Sequence, residues 1–438
     1  MKGKIDWWFV GAAAGLLIIG TIAMLSAASP MPYYPQIIQR HFAAMAAGIL
    51  LFIFGLSFNY QIFQDQAKVI YVLTFAMMVG VLVFGTSLRG HKSWFRLPFI
   101  NFQPVELARI GVVLVLANFL DRRARNVGDL STILWSLAIV GPIMILILKQ
   151  PDFASMLTLC PLFVGMLFCA GADIGQLLAL CGFGTMAFTF PLIYTLCQIR
   201  YPQAPAGSFA HIFIQTSKFG MATILAILGL AAAVFAAWRL SIMMRMQLKA
   251  VYFAVIGAVL VLGLLSGIVV NKQLKGYQRN RFVAFLAPDA DIRGASYNVH
   301  QSQIAIGSGG LFGKGLFSGT QGQLGFLPER HTDFIYAVVG EEAGFIGASA
   351  ILAFYLTLIW RIVVAGKLAR DRYGYLVCCG LASMFGFHLV LNVGMCVGLM
   401  PVAGIPLPMI SYGGSSLVIT LWSLGIVANI YSRRYSFL

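Results

Sequence analysis

The run FVGAAAGLLIIGTIAMLSAA, from Phe9 to Ala28, contains no charged residue. A bilayer core takes roughly 20 apolar residues in a helix, so this run is long enough to span one. It is longer than the apolar part of a cleaved leader, and Trp7 and Trp8 before it suit an interfacial belt. We read it as an uncleaved first span rather than a signal peptide. Comparable runs follow at roughly 42–58, 69–86, 105–120, 132–148, 153–171, 174–196, 219–237, 250–270, 334–359, 375–399 and 416–431. The fourth of these twelve contains Glu106 and Arg109, and the eighth is rich in Ala and Gly.

Composition agrees with this reading. Of 438 residues, 60% are hydrophobic and 10% charged, where a soluble domain has about 25% charged residues. Mean hydropathy is +0.87. These values argue against a cytosolic enzyme, a disordered regulator and a fibrous protein. They indicate an all-α polytopic membrane protein, one integral membrane domain over 1–438. The net charge of +16 would suggest nucleic acid in a soluble chain. Here the cations sit in short segments beside apolar runs, without the basic and aromatic interleaving of a nucleic-acid groove. No nucleic-acid partner is expected. The seven cysteines lie mostly inside apolar runs and form no CxxC, so neither a disulfide framework nor a zinc site is read.

Orientation follows from the basic loops. With Lys2 and Lys4 in the cytoplasm, twelve spans place four clusters on that side: Arg122, Arg123 and Arg125; Arg239, Arg245 and Lys249; Arg361, Lys367, Arg370 and Arg372; and Arg433 and Arg434. Both termini are then cytoplasmic. The long connection from Asn271 to Asp333 falls outside, and its apolar and aromatic content argues for a folded cap rather than disorder. A second outer segment, Thr86 to Gln103, carries Arg89, His91, Lys92, Trp94 and Arg96 among phenylalanines.

The polar motifs gather on that outer side, and each has a bland alternative. Gly307–Gly315, GSGGLFGKG, invites a phosphate-loop reading but fails the Walker pattern at Ser308 and Gly315. It reads either as a tight turn or as glycine N–H groups that meet an anion with Lys314. In LPERHTDF, Leu327–Phe334, Thr332 or Asp333 would cap the tenth span, and Asp333 could equally be a carboxylate held at the membrane boundary near Arg330 and His331. In FQPVELAR, Phe102–Arg109, Pro104 suits a first helical turn, and Glu106 can pair with Arg109 at i,i+3. That pair is either a self-neutralised unit or a site. Lys149–Asp152 is a turn that can share the face. Glu341 and Glu342 enter the bilayer zone and need pairing or protonation, by Arg109 or a polar cavity, or else mark an ion pathway. His388 reads as a core residue. His300 and His331 share no metal-ligand spacing, so no protein-bound metal is expected. Gly404–Ser416, GIPLPMISYGGSS, is an outer turn with a Ser cap or an irregular segment lining a cavity.

Taken together, FQPVE (Phe102–Glu106), QPDF (Gln150–Phe153), QSQIAIGSGGLFGKGL (Gln301–Leu316), GTQGQLGFLPERHTDFIYAVVGEE (Gly319–Glu342) and GIPLPMISYGGSS (Gly404–Ser416) resemble the SEDS proteins. These are bacterial polymerases of shape, elongation, division and sporulation. The GTQ…FLPERHTDF wording is more similar to the rod-shape branch than to the division branch. The resemblance implies a peptidoglycan glycosyltransferase that joins lipid II into glycan strands at the outer face of the cytoplasmic membrane. It also implies a class B penicillin-binding protein as partner, with other membrane proteins of the elongation complex. Asp333 takes the place of the family's HTDF aspartate, Glu106 that of its glutamate, Arg109 that of the following lysine, Asp152 that of the QPD aspartate and Trp94 that of the loop tryptophan. Val105 stands for the usual Ser, Arg109 for Lys, and Met409 where Phe or Leu is common. The family usually has about ten spans, so the chain carries an extra helix pair within 199–268.

The expected chemistry is a single displacement with inversion. Asp333 acts as general base, with Arg109, Lys314 and Arg330 as clamps for the leaving diphosphate, and Trp94, Glu106, Asp152, His331 and Ser411 in support. No tightly bound cofactor is expected, though a divalent cation (Mg or Mn) on the diphosphate could assist. The competing readings are a flippase or other transporter of the lipid-linked precursor, which would place its charges at mid-membrane, a division polymerase, and a scaffold for the transpeptidase.

Overall fold

The structure, a computed structural model, describes residues 5–88, 91–96, 101–150, 152–201, 205, 207–245, 249–274, 276–287, 294 and 296–435. Lys2, Lys4, Arg89 and Pro151 lie outside the described residues. In chain order the elements are α1 (Trp7–Ala28), α2 (Tyr34–Ser57), α3 (Gln61–Asp65), α4 (Ala67–Phe84), β1 (Thr86–Leu88), β2 (His91–Arg96), β3 (Asn101–Phe102), α5 (Pro104–Arg122), α6 (Leu130–Lys149), α7 (Phe153–Ala170) and α8 (Ile174–Arg200). They continue with α9 (Phe209–Thr216), α10 (Met221–Met243), α11 (Ala250–Gln273), α12 (Gly276–Leu286), α13 (Tyr297–Ser308), α14 (Thr320–Gln323), α15 (Ile335–Glu342), α16 (Gly344–Lys367), α17 (Arg372–Cys396) and α18 (Gly414–Ser432). Among the described residues ten helices are long and apolar enough to cross a membrane. The other two candidate spans are also helices. α5 is polar at both ends, through Glu106 and Arg109 and through Asp121 and Arg122, and α7 is short.

The chain divides into two compact units, one of residues 1–172 and 298–438 and the other of residues 173–297. In the first, glycines let helices approach closely. A methyl at Gly425 of α18 would lie 2.4 Å from the Phe52 carbonyl oxygen of α2. With little hydrophobic force between helices in lipid, such close backbone contact supplies the packing. α17 is buried over most of its length and touches α5, α7, α15 and α16. In the second unit α8 packs on α11, where Phe190, Leu264 and Ile268 form a small core. α10 and α11, which lie in the stretch read as an extra pair, belong to this unit.

Three features depart from the sequence reading. The connection before α5 is a three-stranded antiparallel sheet, β1-β2-β3, with Phe95 opposite Phe102. The stretch from 271 to 333, read as a folded cap without a span, contains the end of α11 and all of α12, α13 and α14 among its described residues. The tenth span is broken. α15 ends at Glu342, Ala343 lies between, and α16 opens on Gly344 at φ +65°. The break fits the GSGGLFGKG segment, which packs against it. Lys314 and Gly315 donate their N–H groups to the Glu341 and Glu342 carbonyls, at 3.0 Å each, while Phe345 N–H donates to the Gly310 carbonyl at 2.8 Å. A methyl at Gly313, φ +80°, would lie 2.1 Å from the Glu342 carbonyl oxygen. These glycines therefore serve a close backbone approach, and two of the N–H groups that an anion would need are already bonded.

Candidate functional site

The first polar cluster is built on α5, α7 and α17. Pro104 opens α5, which sets Glu106 in its first turn. One turn on, Arg109 Nη1 donates to Glu106 Oε2 at 3.0 Å, the i,i+3 pair. Its Nη2 donates to Ser155 Oγ at 2.8 Å, and Ser155 Oγ donates to Asp152 Oδ2 at 2.6 Å. Asp152 also caps α7 by accepting from Ser155 N–H, and Gln103 Nε2 donates to its Oδ2 at 3.2 Å. His388 of α17 closes the cluster. Its Nδ1 lies 2.7 Å from the Met384 carbonyl and its Nε2 lies 3.3 Å from Arg109 Nη1. A carbonyl accepts only and a guanidinium donates only, so the ring is the neutral Nδ1–H tautomer. Glu106, Arg109, Ser155 and His388 are all buried. Two carboxylates thus surround one buried guanidinium.

The second cluster is built from loops. Glu329, at φ +52°, turns the chain so that its carbonyl accepts from the N–H groups of Thr332, Asp333 and Phe334, at 3.1, 3.1 and 3.3 Å. Asp333 is half-buried and precedes α15. The expectation that Thr332 or Asp333 caps this helix is corrected. The cap position is Phe334, one residue beyond Asp333, and an aromatic side chain offers no oxygen to accept a capping bond. Arg330 is buried, its Nε donating to the Ala27 carbonyl at 2.9 Å. Burial lowers its pKa from the ordinary value. Tyr412 N–H donates to the His331 carbonyl at 2.8 Å, and the two rings lie 5.7 Å apart. Burial raises the Tyr412 pKa, opposed by the neighbouring Arg40 guanidinium.

The 404–413 segment is irregular and firmly held. Ser411 Oγ accepts from Leu407 N–H at 2.8 Å, and Tyr355 Oη donates to the Pro408 carbonyl. A methyl at Gly20 would lie 2.3 Å from the Met409 carbonyl oxygen, which is how α1 admits this backbone. The Ser cap expected for α18 is absent, since Gly413 occupies the cap position without a side-chain bond.

α17 joins the two clusters. Asn392 lies one turn after His388, about 6 Å along the axis. Its Nδ2 donates to the carbonyls of Asp333 at 3.0 Å and Ile405 at 2.8 Å. The two polar motifs far apart in sequence therefore meet the same helix one turn apart.

Two expected assignments change. Glu341 and Glu342 do not pack against Arg109. Glu341 accepts from Lys314 Nζ at 2.9 Å, Thr320 Oγ1 at 2.9 Å, and the N–H groups of Gln321 and Gly322. Glu342 accepts from Ser26 Oγ at 2.6 Å. Lys314, expected as a diphosphate clamp, is instead bound to a fully buried carboxylate, because α15 ends where the glycine segment turns. Trp94 sits on β2, whose Ser93 Oγ donates to the Gln150 carbonyl at 3.4 Å and so ties the sheet to the turn before α7. Sequence reasoning missed Ser155 and the roles of His388 and Asn392. The available signal was two polar residues four apart within an apolar span, which share a helix face. Among the described residues no three His, Cys, Asp or Glu side chains come together as a metal cage.

A polytopic helical membrane protein with charged clusters confined to helix ends and loops is the class these observations define. The chain belongs to the FtsW/RodA/SpoVE family of cell cycle proteins, whose model matches residues 4–204 and 206–436. It is 30% identical over 403 residues to the peptidoglycan glycosyltransferase MrdB of Escherichia coli K12, covering 90% of this chain and 86% of that protein. It is 31% identical over 408 residues to the peptidoglycan glycosyltransferase RodA of Treponema pallidum, covering 88% of each. A solved chain from a peptidoglycan synthase complex that coordinates polymerization and crosslinking has a similar fold, with a TM-score of 0.64, 25% identity and 99% coverage of both chains.

Proposed function

We propose that this protein is a peptidoglycan glycosyltransferase of cell elongation and shape. It polymerises lipid II into glycan strands at the outer face of the bacterial cytoplasmic membrane, with both termini in the cytoplasm. The observation that carries the site is Asp333. Its N–H is bonded to Glu329 and its carbonyl to Asn392, so the backbone on both sides of the carboxylate is held. Family membership supports the activity.

In this reading the Asp333 carboxylate takes the proton of the acceptor sugar hydroxyl. That oxygen attacks the anomeric carbon of the donor, the carbon–oxygen bond to the diphosphate breaks, and the polyprenyl diphosphate leaves with inversion. Arg330 and Arg109 oppose the developing negative charge, and Glu106, Asp152 and His388 hold Arg109 in place. Lys314 holds Glu341 rather than substrate. Trp94, His331 and Ser411 shape the walls. A divalent cation, Mg or Mn, would travel with the substrate diphosphate as its counter-ion. A class B penicillin-binding protein crosslinks the product strands, alongside other membrane proteins of the elongation complex.

The test is polymerisation of labelled lipid II by the purified chain in detergent. Asp333→Asn keeps the backbone bonds on either side and should lower the rate by ~10² or more. Near wild-type polymerisation by that variant overturns the base assignment.

A further inference from the structure

We propose that Asn392 is the positioning residue for Asp333, coupling the loop that carries it to the 404–413 segment. The inference rests on the reading of Asp333 as the base. Asn392 is fully buried on α17, and each of its two amide hydrogens has one carbonyl to meet, Asp333 at 3.0 Å and Ile405 at 2.8 Å. The opposite amide orientation would set Oδ1 against two carbonyls, so the donor half must face the loops. Oδ1 itself makes no hydrogen bond among the described residues, which leaves donation as what this side chain contributes.

The Asp333 carbonyl has a further weak contact, Cys396 Sγ at 3.8 Å, from the next turn of the same helix. Asn392 therefore holds the Asp333–Phe334 peptide from the α17 side with a bond much shorter than the Cys396 contact. The Glu329 turn fixes the other side through the Asp333 N–H. With both peptide planes fixed, the carboxylate moves only by its own side-chain torsions. Because Asn392 shares its helix face with His388, it also sets the distance between Asp333 and the Arg109 cluster.

Replacing Asn392 by Asp keeps the shape and reverses the donor, which displaces the Asp333 peptide. A misplacement of about 1 Å can cost up to ~10²-fold in rate. For Asn392→Asp in the full chain we expect a kcat for lipid II polymerisation lower by 10- to 100-fold, with KM changed less than about twofold. Placed on Asp333→Asn, the same substitution should lower the residual rate less than about twofold, since residues acting as one unit lose activity only once. Independent, multiplying losses, or a rise in KM at constant kcat, would overturn the positioning role. A near wild-type Asn392→Asp beside a disabled Asp333→Asn would overturn it too and leave the base assignment standing. Near wild-type Asp333→Asn would instead remove the base assignment itself. Should Asn392→Asp not accumulate, Asn392→Ser, with one donor, is measured instead. An intermediate loss of kcat is expected there, and an unchanged kcat overturns the proposal.

Discussion

Removing the carboxylate of Glu106 tests whether the cluster on α5, α7 and α17 is a coupled electrostatic unit. Arg109 is 4% exposed and Glu106 8%, so neither is compensated by bulk water. Breaking a buried pair by deleting one partner costs about 3–5 kcal/mol, because the remaining charge stays buried. Here a second carboxylate moderates the loss. Asp152 is one hydroxyl away from Arg109 through Ser155. At about 5 Å and an effective dielectric of about 20, its attraction is worth about 3 kcal/mol. Glu106→Ala should therefore sit near the low end, about 3 kcal/mol, and lower the unfolding midpoint of the purified protein by several degrees. Glu106→Ala with Asp152→Asn should exceed the sum of the two single losses, because each carboxylate is the other's substitute. Glu106→Leu with Arg109→Met should recover most of the midpoint, since no buried charge remains. The assay is thermal unfolding in detergent, followed by size-exclusion chromatography of the folded fraction. An unchanged midpoint in Glu106→Ala, or strictly additive losses in both double variants, would refute the reasoning.

Lys314→Met leaves Glu341 buried with only hydroxyl and N–H donors. It should lower the folded fraction by an amount within the same ~3–5 kcal/mol range, and Lys314→Met with Glu341→Gln should restore it; an unaltered level with lost activity would return Lys314 to the substrate. Gly313→Ala places a methyl against the Glu342 carbonyl at positive φ and should destabilise by at least ~1 kcal/mol, read as a lower midpoint. For topology, a cysteine at exposed Ser318 should react with an impermeant maleimide on intact cells and one at Ala369 should not; the reverse pattern would invert the orientation.

The apolar runs, the basic loops and the Pro104, Glu106, Arg109 spacing are local properties, and they were legible in one dimension. A helix must bond its own backbone in lipid, so a run of about 20 apolar residues leaves few alternatives. The i,i+3 pair likewise depends only on helical geometry, and it forms at 3.0 Å. The partners of Glu341, the break at Gly344 and the meeting of His388 with Arg109 were not legible. Each joins residues far apart in sequence, and which side chains meet there is set by how closely backbones can approach. The glycine segment shows the difference. Its glycines left a tight turn and an anion site as alternatives, and their neighbours include the Glu341 and Glu342 carbonyls of a helix end. The chain by itself determined a membrane bundle with charges kept to its ends. Only packing around α17 decided that Asn392 and His388 bring those charges within one helical turn, because a buried donor must find whichever carbonyl the fold places beside it.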